Sequence, residues 1–365
     1  MNPQNFNRRA FVKTLAGVAA GHALSHNASA APTAPTRKPI ALGMDNFAVR
    51  AMGWKAPELL DYAASLKLDS LLISDLDAYT SLEDGYLREI KATADRLKIQ
   101  IYAGSWSICP SSVRFKKTWG TAEEHLATGI RVAKTLGSPV FRVILGASDD
   151  RKTPGGIRAR IADTVTVLKN CERQARDAGI KIAVENHAGD MHSWELVDLI
   201  EAAGPQFVGA NIDSGNSTWT LEDPMDVLER LGPYVACSSL RDNMIWNTPE
   251  GATIAWTAAG EGLIDWTRYI ERWSALCPKV PVMIETISGF SRSFPYKKDE
   301  FWAHYDRRPE ALAHFEAMAQ RGHEIPNFKA PEGADKKAAE QAFQKAELER
   351  SIRHLREVIG IGLKP

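Results

Sequence analysis

The sequence predicts an α/β fold of the (β/α)8 barrel class, and three observations predict it. Short apolar runs alternate with longer amphipathic runs along most of the chain. That rhythm implies a parallel sheet with right-handed helical crossovers. The apolar runs number eight, the count that closes a barrel. An open doubly wound sheet would call for a Gly-x-Gly-x-x-Gly phosphate turn after an early strand, and none stands there.

In chain order, IALGM (40–44) precedes a helix expected over 57–67, and SLLIS (70–74) precedes one over 83–97. IQIYAG (99–104) leads to a helix over 121–136, stopped by Gly137-Ser138-Pro139. VFRVIL (140–145) leads to 157–179, the clearest helix. There Ile157, Ile161, Val165, Leu168, Cys171 and Ala175 recur at three and four and form one apolar face. KIAVE (181–185) is followed by 193–203, and FVGANI (207–212) by 224–231, stopped by Gly232-Pro233. YVACSSL (234–240) is followed by 264–275, and VPVMIE (280–285) is the eighth strand.

The eighth helix is displaced. A polar insertion of about 287–337 intervenes, with Pro295, Pro309, Pro326 and Pro331 and one short helix near 309–320. Insertions at this point of a barrel form lids and substrate loops, although a structural flap or a dimer arm fits equally. A closing helix over 338–359 carries Leu348, Ile352, Leu355 and Ile359 on one face. The barrel is thus expected over 38–365.

Residues 1–30 read as a leader. NRRAFVK (7–13) is basic, TLAGVAAGHAL is mildly apolar, and Ala28-Ser29-Ala30 makes a small-residue cleavage site. Paired Arg8 and Arg9 resemble a twin-arginine signal, which implies export through that machinery to a bacterial periplasm. Lys plus Arg equals Asp plus Glu at 45 each, which argues against a nucleic-acid partner. No run is apolar enough to span a membrane. Cys171 and Cys237 lie in apolar segments, Cys109 and Cys277 lie near turns, and no Cys/His spacing suggests zinc.

Chemistry gathers at the strand ends, which in such a barrel face one mouth. Strand five ends in Glu185, strand six in Asp213, strand seven in Ser239-Leu240-Arg241-Asp242 and strand eight in Glu285. Convergent like charges need a cation between them. Oxygen ligands without cysteine suit Mg²⁺ or Mn²⁺. The plainer alternative is that the acids pair with Arg142 or Arg241.

VENHAG, VGANIDSGN, SSLRD, GEGLIDW and MIE, in that order, resemble the xylose isomerase-like TIM barrels of the sugar isomerase and epimerase superfamily. The resemblance covers about 38–290. It implies a divalent metal on Glu185, Asp213 and Glu285, with a histidine three residues before the acid after strand seven. Ser239 stands in that histidine's position. It further implies proton transfer through an enediolate on a keto-sugar or sugar derivative, with Glu185 and Glu285 as the acid–base pair.

His187, Asn186, Trp106, Asn216, Arg241, Asp242, Glu261 and Arg292 are candidate substrate contacts, and Trp246 and Trp256 are candidate stacking surfaces. A carbohydrate is the expected ligand, and the oligomeric state is left open. Rival readings are a 3-keto-glycoside lyase on the same groups and a non-catalytic carbohydrate-binding barrel. An apurinic endonuclease is set aside, because nine scattered histidines do not supply its metal sites.

Overall fold

The computed structural model describes residues 38–364, so the expected leader lies outside the described part. Seven barrel strands come first: β1 (Leu42–Asp45), β2 (Ser70–Ile73), β3 (Gln100–Ser107), β4 (Val140–Ile144), β5 (Lys181–Glu185), β6 (Val208–Ile212) and β7 (Val235–Ser238). A hairpin then leaves the barrel, β8 (Asp242–Thr248) and β9 (Gly251–Thr257). The chain returns for the eighth barrel strand, β10 (Val282–Ile284), and adds β11 (Ser291–Phe294) outside. The barrel strands are all parallel in the order β10-β1-β2-β3-β4-β5-β6-β7. A parallel bridge from Leu240 to Ile284 nearly closes the ring.

The helices are α1 (Ala56–Ser65), α2 (Asp84–Leu97), α3 (Ala122–Leu136), α4 (Gly156–Ala178), α5 (Ser193–Ala203), α6 (Ser214–Trp219), α7 (Pro224–Leu231), α8 (Trp266–Leu276), α9 (Leu312–Arg321) and α10 (Lys336–Arg353). Local chemistry sets several ends. Thr121 and Glu124 form a reciprocal cap at the start of α3, and Gly137 closes it in the left-handed region. No helix among the described residues is long and apolar enough to cross a membrane.

The barrel interior follows the period of two along each strand. Leu72, Tyr102, Val140, Ala183, Cys237 and Met283 form one apolar layer. Two residues further along the same strands stand Ser74, Gly104, Arg142, Glu185, Ser239 and Glu285. Thus the same inward face that packs the floor of the barrel presents polar groups one layer above it. Gly104 is bare for a reason, since a Cβ there would press on the Arg142 Cβ at 3.0 Å.

Two parts of the fold depart from the expectation. Residues 242–257 form the β8–β9 hairpin, which pairs with β11 in a three-stranded antiparallel sheet. Trp219, Ile245, Ile254, Trp256, Phe294 and Phe315 share a second, smaller core with it. The polar insertion therefore folds as a layer around its own core. The closing helix also ends earlier, at Arg353, and continues as a wider turn to Ile359. All four cysteines are buried and free.

His125 on α3 is buried, and its Nε2 lies 2.7 Å from Ser105 Oγ. Burial lowers its pKa to about 4. Between that value and the unfolded value near 6.5, only the unfolded chain takes the proton, so stability falls as pH drops through the window. From pH 7 to pH 5 this histidine is expected to cost about 2 kcal/mol. Urea melts of wild type and His125→Gln at both pH values check it, and equal losses in the two proteins would refute it.

Candidate active site

Glu185 closes β5, side by side with Ile144 of β4 and Asn211 of β6. It is fully buried. Its Oε2 accepts from Arg142 Nε at 2.6 Å and from Asn211 Nδ2 at 2.7 Å, and Arg142 Nη2 stands 2.5 Å away. Its Oε1 accepts from Asn216 Nδ2 at 3.2 Å. Burial raises the Glu185 pKa against the pull of Arg142 and Arg241. Asp45, at the end of β1, is equally buried and accepts from Phe47 N, Ser74 Oγ and Ser239 Oγ. Its pKa is raised by burial, with Arg142 opposing.

Asp213 is the N-cap of α6. Its Oδ1 accepts from the backbone of Gly215 at 2.7 Å and of Asn216 at 3.0 Å. Its Oδ2 accepts from Asn216 Nδ2 at 2.7 Å and from Arg241 Nη2. Burial pushes its pKa up to about 6, with Arg241 opposing. Glu285 follows β10, and its Oε2 accepts from the same Arg241 nitrogen. One guanidinium therefore bridges two of the three acids.

Carboxylate oxygens of Glu185, Asp213 and Glu285 all lie within 4.8 Å of one another, a buried set that could hold a metal ion. Their other partners decide the fit. Arg241 Nη2 stands between Asp213 and Glu285, and the second oxygen of Asp213 is taken by the start of α6. Glu185 is saturated by Arg142 and two asparagines. Ser239, in the position of a fourth ligand, donates its Oγ to Asp45 at 3.1 Å and accepts from Asn211 at 3.2 Å. As these side chains stand, the spacing suits a divalent ion but the donor set does not fit one.

A cavity of about 330 Å³ opens above the polar layer, at the small end of ligand pockets. Glu285, Arg241, Arg142, Asn216 and His187 line it, with walls from Trp106, Trp256, Phe47 and Phe290. Glu285 is the only carboxylate among its lining residues; Glu185 and Asp213 are not among them. His187 Nδ1 lies 2.6 Å from the Gly146 carbonyl, which can only accept, so Nδ1 carries the proton. Burial and then the positive charge of Arg142 lower its pKa to about 3, so the ring is neutral and Nε2 keeps a lone pair. The next residue, Ala188, has φ 44, an unusual left-handed turn for a residue with a side chain. That turn lies on the cavity wall.

Other candidates fall elsewhere. Asp242 does not reach the cavity: its carboxylate is taken by backbone N–H groups of Gly260, Gly262 and Ile264 and by Trp266 Nε1. Glu261 pairs with Arg350 at 2.6 Å on the surface. Asn186 clamps the Asp213 backbone through both ends of its amide. Trp246, on β8, lines neither this cavity nor its neighbour. Arg292 lines that neighbour, a second cavity of about 330 Å³ that shares Trp219 as a wall. Asp45, Asn211, Arg50 and Phe290 were not anticipated. Only Asp45 carried a signal, as an acid directly after the apolar run IALGM.

Residues 48–288 match the profile of the family described as xylose isomerase-like TIM barrel. No curated protein matches the sequence significantly. Solved structures with the same fold include a D-psicose 3-epimerase in the presence of D-fructose. It is 14% identical, with TM-score 0.58, covering 88% of this chain and 100% of its own. An L-ribulose 3-epimerase is 16% identical with TM-score 0.53, covering 89% and 100%. The IolI protein, with a binding zinc atom, is 14% identical with TM-score 0.54, covering 78% and 100%.

Proposed function

We propose that this chain, which belongs to the xylose isomerase-like TIM barrel family, is a sugar isomerase or epimerase that moves a proton beside a carbonyl. One observation carries the reading: a single carboxylate, Glu285, lines a small cavity that also presents the side chains of Arg50, Arg142 and Arg241 and a neutral histidine. The epimerases of the same fold are named for psicose and ribulose, both keto-sugars.

In this reading Glu285 takes the proton from the carbon next to the carbonyl. The C–H electron pair becomes the enediolate double bond, and the carbonyl electrons move to oxygen. Cavity guanidiniums stabilise that oxygen, and Trp106 and Trp256 bracket the sugar. Return of the proton by Glu285 to the neighbouring carbon, with the hydroxyl proton of the first carbon passing to the enediolate oxygen, gives isomerisation. Return to the first carbon's other face draws a proton from a water or substrate hydroxyl on that side, which neutral His187 holds through its Nε2 lone pair, and Glu285 gives its own proton to the oxygen left behind. Glu185, enclosed behind Arg142 and the asparagines, sets the local field and holds Asn216 in place.

A Mg²⁺ or Mn²⁺ ion on Glu185, Asp213 and Glu285 would require Arg241 to leave. With the leader assigned to residues 1–30, we place the reaction in the periplasm, on a neutral sugar, glycoside or sugar acid.

The test is deuterium uptake from D₂O by a panel of ketohexoses and ketopentoses incubated with the protein. Uptake with appearance of an isomer or epimer supports the reading, and no uptake on any of them removes it. His187→Asn is expected to suppress epimer formation by about 10²-fold or more and to spare aldose–ketose exchange. Equal loss of both would take His187 out of proton return.

The neighbouring cavity favours one second reading. Its walls include Trp219, Arg292, Phe301 and Tyr305, room for the aglycone of a 3-keto-glycoside whose sugar sits over Glu285. The same proton abstraction would then expel the aglycone. Release of aglycone with no epimer formed distinguishes the lyase.

A further inference from the structure

We propose that Arg241 is the resident cation of this site: its guanidinium occupies the position that the acid triad offers a divalent ion, and its free N–H groups bind the substrate oxygens that such an ion would bind. The second half rests on the proton-transfer reading; the first half does not.

Four observations support it. Arg241 Nη2 bridges Asp213 and Glu285, two of the three acids that could hold an ion. The residue is only 2% exposed and lines the cavity, yet its Nε and Nη1 have no hydrogen-bond partner among the described residues. Buried donors are rarely left unpaired without a use. A guanidinium offers its donors in a planar fork, so the edge not spent on the carboxylates can meet the carbonyl and hydroxyl oxygens of a keto-sugar.

The posture of the side chain is also built in. A Cβ at position 215 would collide with Cγ and Cδ of Arg241, so Gly215 leaves the space this side chain fills. On another side, the Trp256 ring lies 4.3 Å from the guanidinium carbon, and its indole N–H is tied to the Gly215 carbonyl at 3.0 Å. Finally, Ser239 spends its hydroxyl on Asp45 instead of completing a ligand set.

A fixed guanidinium and a divalent ion compete, because both need the Asp213 and Glu285 carboxylates. The experiment therefore titrates MnCl₂ into the EDTA-dialysed full-length protein, followed by the Mn²⁺ electron paramagnetic resonance signal. Three chains are compared: wild type, Arg241→Met and Gly215→Ala.

Wild type is expected to show no saturable site. Both variants are expected to gain one site per chain, about 10–100-fold tighter than any residual wild-type binding. Arg241→Met removes the guanidinium. Gly215→Ala keeps it but pushes it from its place, so a poorly folding Arg241→Met does not leave the question open. Saturable binding of one Mn²⁺ by wild type overturns the proposal, and so does failure of both variants to gain a site.

No substrate enters these titrations, so they hold even if no keto-sugar exchanges a proton. Where exchange is found, EDTA-dialysed wild type is expected to retain it in full, and Arg241→Met to lose about 10²–10³-fold. Loss of exchange on dialysis, restored by Mn²⁺, would also overturn the proposal.

Discussion

Glu285→Gln is expected to lower turnover by about 10²–10⁴-fold on whichever keto-sugar the chain exchanges, with the fold intact. The amide oxygen can still accept from Arg241, so the substitution removes the base without stripping the guanidinium of its partner. Because the lost interaction operates in the transition state, the fall belongs in kcat, with KM little changed. Glu185→Gln makes the informative contrast. That side chain lies outside the cavity lining and holds Arg142, Asn211 and Asn216 in register. Its loss is expected to cost activity through misplacement, with a smaller drop in kcat than Glu285→Gln and a lower melting temperature. Full deuterium exchange by Glu285→Gln would eliminate a Glu285 base, for the isomerase and for the lyase alike.

Much of this site was legible because barrel strands obey a local rule. A buried parallel strand reads as an apolar run, and the residue that ends the run faces the mouth. Glu185, Asp213 and Glu285 are visible on that ground alone, and the structure brings their oxygens together. The same rule misled at Asp242, which follows the seventh apolar run: the hairpin after β7 turns it toward the loop at 260–264. Glu261, a candidate from the GEGLIDW stretch, stands against Arg350 instead.

That hairpin was readable in principle. Met244, Ile245 and Trp246 precede Pro249-Glu250-Gly251, and Thr253, Ile254 and Trp256 follow, two β-rich runs about a turn. The position of Arg241 was not readable. It depends on a missing Cβ at Gly215, a ring from β9 and a carboxylate after β10, three contacts that only the folded chain assembles.

Arg142→Met is expected to be the most destabilising single change in the barrel, by about 3–5 kcal/mol. Arg142 is 3% exposed, and the two acids it faces, Glu185 and Asp45, are fully buried. It pairs with Glu185 at 2.5 Å and donates to the Ser105 carbonyl at 3.0 Å. Methionine fills much of the volume but leaves both carboxylates without that charge, and neither has water to turn to.

The sign of the pH dependence follows. Burial already raises both pKa values with Arg142 present, and its removal raises them further. For an acid whose folded pKa lies above its unfolded one, the folded chain binds the extra proton, so stability falls as pH rises through that interval. The variant should therefore lose more at pH 8 than at pH 5, read as the shift in urea midpoint against wild type at each pH. Adding Glu185→Gln removes one of the two stranded charges, and the double variant is expected to recover part of the loss. A loss below about 1 kcal/mol that does not change with pH would mean that Glu185 is protonated in the folded chain, and the charge pairing that organises this mouth would have to be redrawn.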